Sequence, residues 1–180
     1  MTEKKEHPAR AATHLSESPT MPIHVRVASE ADVAALVPLL VRLKRLNEEF
    51  DPLLKVRADI DERAADVLHA DLSNPHAVVL AAEGVGSERE KIVGVVRAMV
   101  RERMFYSPEQ EGVILDIYLL PLYRRHGVGE YLLRETTEHL KAKGAGVVTA
   151  EFPTQNEIAV RFYAKRGFRP ITALHAKSVG

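Results

Sequence analysis

The turn Arg124-Arg-His-Gly127-Val-Gly129 carries the residue types that hold a phosphate. Gly127 and Gly129 lack side chains, so a ligand can approach the backbone closely. The free N–H groups of a helix that starts here point at that ligand, and the helix dipole favours an anion. Arg124 and Arg125 add positive charge, and Val128 opens the helix. His126 reads as a solvent-facing loop residue rather than a catalyst. The same spacing also serves a plain, basic turn at a helix start. Two other phosphate motifs are excluded. A dinucleotide fingerprint needs a third glycine where Leu132 stands, and a P-loop needs a lysine where Glu130 stands.

Three titratable residues stand out. Asp116 interrupts the apolar run Val113 to Leu120, where an acidic group is costly unless it is paired or functional. Glu151 sits in the run Val147 to Phe152, near its end; alternation places it with Val147 and Thr149, opposite Val148, Ala150 and Phe152. Tyr163 lies seven residues after Asn156, two turns along one helix face. Each has a structural reading beside the functional one: a hydrogen-bonded aspartate, an exposed strand-end glutamate and a packed tyrosine. The chain has no cysteine, which removes a thiol nucleophile, a disulfide framework and a Cys-based metal site. Its eight histidines form no HExxH pair, and no metal is expected.

These residues need a scaffold. Ile23 to Val27 reads as a strand. Ser29, with Asp32 three residues on, reads as a helix start, and Val33, Leu36, Val37, Leu40, Leu43 and Leu46 keep helical spacing to Asp51-Pro52. Pro38 should kink that helix or mark a late start. A second helix is expected from about Asp59 to Ser73. His76 to Glu83 and Lys91 to Glu102 read as a hairpin across the polar loop 84–90, and Ser107 to Gly112 as a turn. Val113 to Leu120 reads as a central strand. A helix from about Val128 to Lys143, a strand from Gly146 to Phe152, a helix from Asn156 to Arg166 and a poorer last strand from Arg169 to Lys177 complete the order β-α-α-β-β-β-α-β-α-β. That order predicts a mixed α/β sheet with helices on both faces.

Composition bounds the class. The 180 residues suit one core, and a hydrophobic fraction of 46% is enough to fill it. Residues 1–22 are polar, without apolar periodicity, and read as a disordered arm before a domain over 23–180. Met21 is a second candidate start. With 25 basic and 25 acidic residues, the chain lacks the basic excess of a nucleic-acid binder. It shows no apolar run near ~18 residues and no signal-peptide core, so neither a membrane span nor export is expected and the location is read as cytoplasmic.

Two segments carry a family resemblance. Arg124-x-x-Gly127-x-Gly129, preceded by Tyr-Leu-Leu-Pro-Leu-Tyr, resembles the coenzyme A motif of the GNAT acetyltransferases. Asn156-Glu-Ile-Ala159-Val-Arg-Phe162-Tyr163-Ala-Lys-Arg-Gly167-Phe168 is similar to that family's second signature. The resemblance covers about Ile23 to Lys177. It implies a sheet splayed near its middle with acetyl-CoA, as cosubstrate, in the split. By that resemblance the backbone of Ile117, Tyr118 and Leu119 aligns the pantetheine arm and the acetyl group, and that of Arg124 to Gly129 holds the pyrophosphate. Asn156 contacts the coenzyme arm. The reaction implied is direct attack of a neutral amine on the thioester in a ternary complex. It needs a base, an oxyanion donor and a proton for the thiolate. The resemblance offers Tyr163 as the acid, and Glu151, with Asp116 as its rival, as the base. The acceptor (a protein N-terminus, a lysine or a small amine) is not written in the sequence. The carboxylates in Asn47-Glu-Glu-Phe-Asp51 suit a cationic amine and equally a solvated helix end. A different class, an acyl-CoA-binding sensor without turnover, shares all these motifs, as does an enzyme for a longer acyl chain. The oligomeric state is open, with a homodimer among the options.

Overall fold

A computed structural model describes residues 23–84, 91–124 and 127–179. The arm expected over 1–22, Met21 within it, the centre of the 84–90 loop, and Arg125 and His126 lie outside these residues.

Five strands form one sheet in chain order: β1 (Ile23–Val27), β2 (Ala77–Gly84), β3 (Ile92–Glu102), β4 (Gln110–Leu119) and β5 (Val147–Ala150). The first four pair antiparallel, each with its neighbour in the chain, and β5 joins β4 in parallel. That parallel step needs a crossover, which α3 (Val128–Ala142) supplies.

The expected helices are present. A short 3₁₀ turn over Glu30–Asp32 precedes α1 (Val33–Glu48), which holds Pro38 within its span. Ser29 starts this turn by donating its N–H and hydroxyl to Asp32 Oδ2, at 2.7 and 2.9 Å. The second helix, α2, is Ile60–Leu72, and the last, α4, is Glu157–Ala164. Leu36, Leu40 and Leu68 of α1 and α2 pack on Val79, Val95 and Tyr118 on one face of the sheet. Leu132, Leu140 and Tyr163 of α3 and α4 pack on Leu80, Val96 and Ile114 on the other. Each fully buried leucine contributes roughly 1.5–3 kcal/mol.

Two expectations change. β4 starts at Gln110, inside the segment read as a turn, because Gln110 to Gly112 pair with Val100 to Glu102 of β3. The last expected strand, Arg169 to Lys177, does not form. Its apolar alternation is suited to a strand, but a strand needs an edge to pair with, and in the protomer this segment lies against none.

Candidate active site

The site is made by an irregularity in β4. Arg97 pairs with Asp116 and Ala98 with Ile114, so Leu115 is an extra residue, a β-bulge. Beyond a bulge the alternation of the strand is reversed. Upstream, Ile114 directs its C=O to β5, where it accepts from Glu151 N at 3.0 Å. Downstream, Leu120 donates to Val93 O on the β3 side. Alternation back from Leu120 then turns the backbone of Ile117 and Leu119 away from β3. β5 provides no partner there, since its pairing with β4 stops at Ile114↔Ala150. Past this point the two strands part, and the backbone of Ile117 and Leu119 faces the split. The Tyr118 ring packs under α1 and α2.

The split leads to the start of α3. Gly127 caps this helix with φ 75°, a left-handed conformation that favours glycine, and a Cβ there would meet nothing within 4 Å. The N–H groups of Val128, Gly129 and Glu130 have no intrahelical acceptor, as in any first turn. This open, donor-rich cradle fits a pyrophosphate. Gly129 has a different reason for being small: a Cβ would lie 3.2 Å from the Phe162 ring, where α3 packs on α4. Arg124 folds back from the turn, donating Nε–H to Leu119 O at 2.9 Å, with its guanidinium 5.3 Å from the centre of the Tyr118 ring.

On the α4 side Tyr163 lies in the core. It is 4% exposed, stacked on Phe152 at 5.1 Å and edge-on to Phe162 and Phe168. Burial pushes its phenol well above the usual tyrosine value, and the negative charge of Asp116 adds to that. The hydroxyl is therefore held protonated, in the donor form. Asn156 caps α4 by accepting the Ala159 N–H at 3.1 Å, which leaves its NH₂ group for other partners.

The two carboxylates have different surroundings. Asp116 is 3% exposed and bound by two cations, Lys44 Nζ at 2.5 Å and Arg97 Nη1 at 2.6 Å. Arg97 also binds Asp71 at 2.7 Å, so one ionic chain ties α1, β4, β3 and α2 together. Glu151 is exposed at the end of β5, on the same sheet face, with Arg101 Nη1 at 3.1 Å. Arg101 also binds Glu111 at 2.8 Å, and these acids raise its pKa.

A cavity of about 290 Å³ adjoins Lys44 at the connection between α1 and α2, lined also by Asn47, Leu54, Lys55, Val56, Arg57 and Ile60. The carboxylates Glu48, Glu49 and Asp51 are not in its lining. Asn47 Oδ1 is buried without a hydrogen-bond partner. Sequence reasoning passed over Lys44, Arg97 and this lining. Arg97 carried a signal, as a lone cation in an apolar strand, of the same kind that drew attention to Asp116.

Comparison with known proteins places this architecture in the acyltransferases. The sequence model of the Acetyltransferase (GNAT) family matches residues 41–168. The chain belongs to the GNAT family of acetyltransferases. It is 27% identical over 151 residues to a glucosamine 6-phosphate N-acetyltransferase of Trypanosoma brucei brucei, covering 82% of this chain and 89% of that protein. It is 30% identical over 118 residues to the acetyl transferase GW6a of Oryza sativa subsp. japonica, covering 62% of this chain but 27% of that longer protein. Among solved structures, a predicted acetyltransferase from Clostridium acetobutylicum with acetyl-CoA superposes with a TM-score of 0.71 at 17% identity, over 88% of this chain and 97% of that one.

Proposed function

We propose that this protein transfers the acetyl group of acetyl-CoA to a primary amine by direct attack in a ternary complex. The observation that carries this reading is the split beyond Ile114↔Ala150, which runs from the backbone of Ile117 and Leu119 to the Gly127 cradle. That is a path for a thioester arm ending in a pyrophosphate.

The residues divide the work as follows. The pyrophosphate sits on the first N–H groups of α3, with Arg124 beside them; Arg125 and His126, also expected at this site from the sequence, lie outside the described residues. The backbone from Ile117 to Leu119 aligns the acetyl group. Asn156 offers its NH₂ to the coenzyme arm. Tyr163, protonated and buried, gives the proton that the departing thiolate requires. Glu151 takes the amine proton, in competition with its Arg101 contact. Asp116 is the weaker candidate for base, because both its oxygens already hold cations.

The acceptor we propose is a small amine that carries an anionic group. The cavity by Lys44 supports this. Lys55 there has no ion-pair partner among the described residues, and Asn47 Oδ1 is an acceptor waiting for a donor such as an amine or a hydroxyl. The Trypanosoma relative, a glucosamine 6-phosphate N-acetyltransferase, supports the same class.

A thiol-release assay tests both parts. Acetyl-CoA is supplied with glucosamine 6-phosphate, glucosamine, spermidine, an aminoglycoside and a peptide with a free N-terminus. Turnover with any amine supports acetyl transfer, and preference for the phosphorylated sugar over the plain one supports the anionic acceptor. Tight acetyl-CoA binding with no turnover on the whole panel turns the reading to the sensor class.

A further inference from the structure

We propose that Arg166 is a positioning residue for the coenzyme: it draws the Glu130 carboxylate aside, so that the first N–H groups of α3 stay free for the pyrophosphate. The proposal rests on the reading that a pyrophosphate occupies this turn, and its test separates the two.

Glu130 is the difficulty in the cradle. It is the third residue of α3, directly after Val128 and Gly129, and the acidic residue of the helix's first turn. A carboxylate in that position is favoured by the positive end of the helix and can reach back to the free backbone N–H groups. An anionic ligand needs the same donors and the same field. Left to itself, Glu130 is a competitor for the pyrophosphate's place and a like charge beside it. The nearby cations are engaged elsewhere. Arg124 is held by Leu119 O and the Tyr118 ring. Arg134 stands at i+4, the usual helical partner for such a glutamate. Its guanidinium instead lies 4.9 Å from the centre of the Tyr131 ring and 3.4 Å from Glu135 Oε1.

The partner comes from the other helix. Arg166, just past the end of α4, donates from Nη2 to Glu130 Oε2 at 3.2 Å. Two further contacts fix its guanidinium. Nη1 donates to Phe162 O at 2.8 Å, and the group lies 4.0 Å from the centre of the Phe162 ring. That ring is the one that leaves no room for a Cβ at Gly129. One arginine and one aromatic ring thus hold the end of α4 against the residue before Glu130. The placement has a cost. Arg166 Nε is buried and finds no hydrogen-bond partner among the described residues, whereas an arginine extended into water would satisfy it. The two side chains also differ in freedom: Arg166 is 24% exposed and Glu130 is 68% exposed. The arginine is the fixed member, and the glutamate is the one that is held.

Coenzyme A binding to the full chain is measured by calorimetry for native protein, Arg166→Gln, Glu130→Gln and the double variant. Arg166→Gln should weaken binding roughly three- to tenfold, the size of one charge at a helix start. Arg166→Met, which keeps an apolar stem against Phe162, should do the same. Glu130→Gln alone should bind at least as tightly as native protein. Added to either Arg166 variant, it should restore most of the loss, because the carboxylate that Arg166 restrains is then gone. In turnover, the KM for acetyl-CoA should rise in the Arg166 variants while kcat holds, since the cradle binds ground state and transition state alike. A purely structural Arg166 predicts a loss that Glu130→Gln does not rescue, and that result overturns the proposal. So does native-like binding by both Arg166 variants. Gly127→Asp, measured alongside, checks the underlying reading. Unchanged affinity there takes the pyrophosphate out of this turn and the proposal with it. A clear loss there leaves the Arg166 and Glu130 variants to decide alone.

Discussion

Arg97 Nη1 lies 2.6 Å from Asp116 Oδ2, a pairing between neighbouring strands that is almost wholly shielded from water. Removing one partner of such a pair leaves the other charge buried and uncompensated, which typically costs ~3–5 kcal/mol. Asp116→Ala removes the anion shared by Arg97 and Lys44, but Arg97 keeps Asp71 and Lys44 reaches solvent. We expect a loss of stability toward the low end of that range, read from urea unfolding of native and variant protein. Asp116→Asn, which keeps a hydrogen-bond acceptor, should lose less. A loss under ~1 kcal/mol for Asp116→Ala would show that the network is not structural.

Glu151 is expected to behave differently. Glu151→Gln keeps the shape and removes the carboxylate. An amine must be neutral to attack, and a lysine-like amine near ~10.4 is almost wholly charged at neutral pH. The variant's rate deficit should therefore be greatest at neutral pH and shrink as rising pH deprotonates the amine in solution. Asp116→Asn should show no such rescue. A pH profile of turnover for both variants decides, and rescue confined to Asp116→Asn reverses the assignment.

Tyr163→Phe keeps the aromatic packing and deletes the proton. Turnover should fall by roughly 10²–10⁴-fold while acetyl-CoA affinity holds. The raised phenol pKa also has a stability consequence. Its folded value lies above the unfolded value near ~10, so the unfolded chain ionises first. The stability tied to the protonated form is present below pH ~10 and is lost as pH rises from there toward the folded pKa. Tyr163→Phe should make the unfolding midpoint less sensitive to pH above ~10. Equal alkaline slopes in native and variant would mean that the phenol is not desolvated.

At Gly127 two substitutions separate strain from charge. Gly127→Ala meets only the positive φ, because the surrounding space is open. Gly127→Asp adds a negative charge where the pyrophosphate is to bind. By calorimetry, coenzyme A affinity should fall at least tenfold, about 1.4 kcal/mol, further for Asp than for Ala. Similar affinities for the two variants would remove the cradle from the site.

What the sequence disclosed was local. The Gly127 turn, the Asn156 cap and Tyr163 each depend on neighbours within a few residues, and spacing records that. The ionic chain does not work this way. Lys44 and Asp116 are 72 residues apart and Arg97 and Asp71 are 26 apart, so composition could flag the cost of a buried charge but not its partner. The Leu115 bulge was equally hidden, since a continuous apolar run carries no alternation that could show a change of phase. The cavity at the α1–α2 connection was hidden for a related reason. The carboxylates of 48–51 drew attention because they are adjacent in sequence, while the cavity is lined by Lys44, Lys55 and Arg57 from across the α1–α2 connection. Residues 169–177 have a strand's pattern, but a pattern does not supply an edge.

The order of the sheet has a consequence for how the molecule assembles and loosens. From β1 to β4 every strand pairs with its chain neighbour, while β5 is reached only through α3 and meets β4 over four residue pairs. The hairpins β2–β3 and β3–β4 close short loops and form early, whereas β1, reached across α1 and α2, and β5, reached across α3, close later. The crevice between β4 and β5 is thus a seam between early-forming hairpins and a later half made of α3, β5 and α4. Such units open separately, and amide exchange should find β5 and α4 less protected than β3. A ligand that lies along β4 and rests on the first turn of α3 touches both halves. Its binding energy is then spent in part on holding them together, so slower exchange in β5 and α4 is the expected signature of a filled crevice.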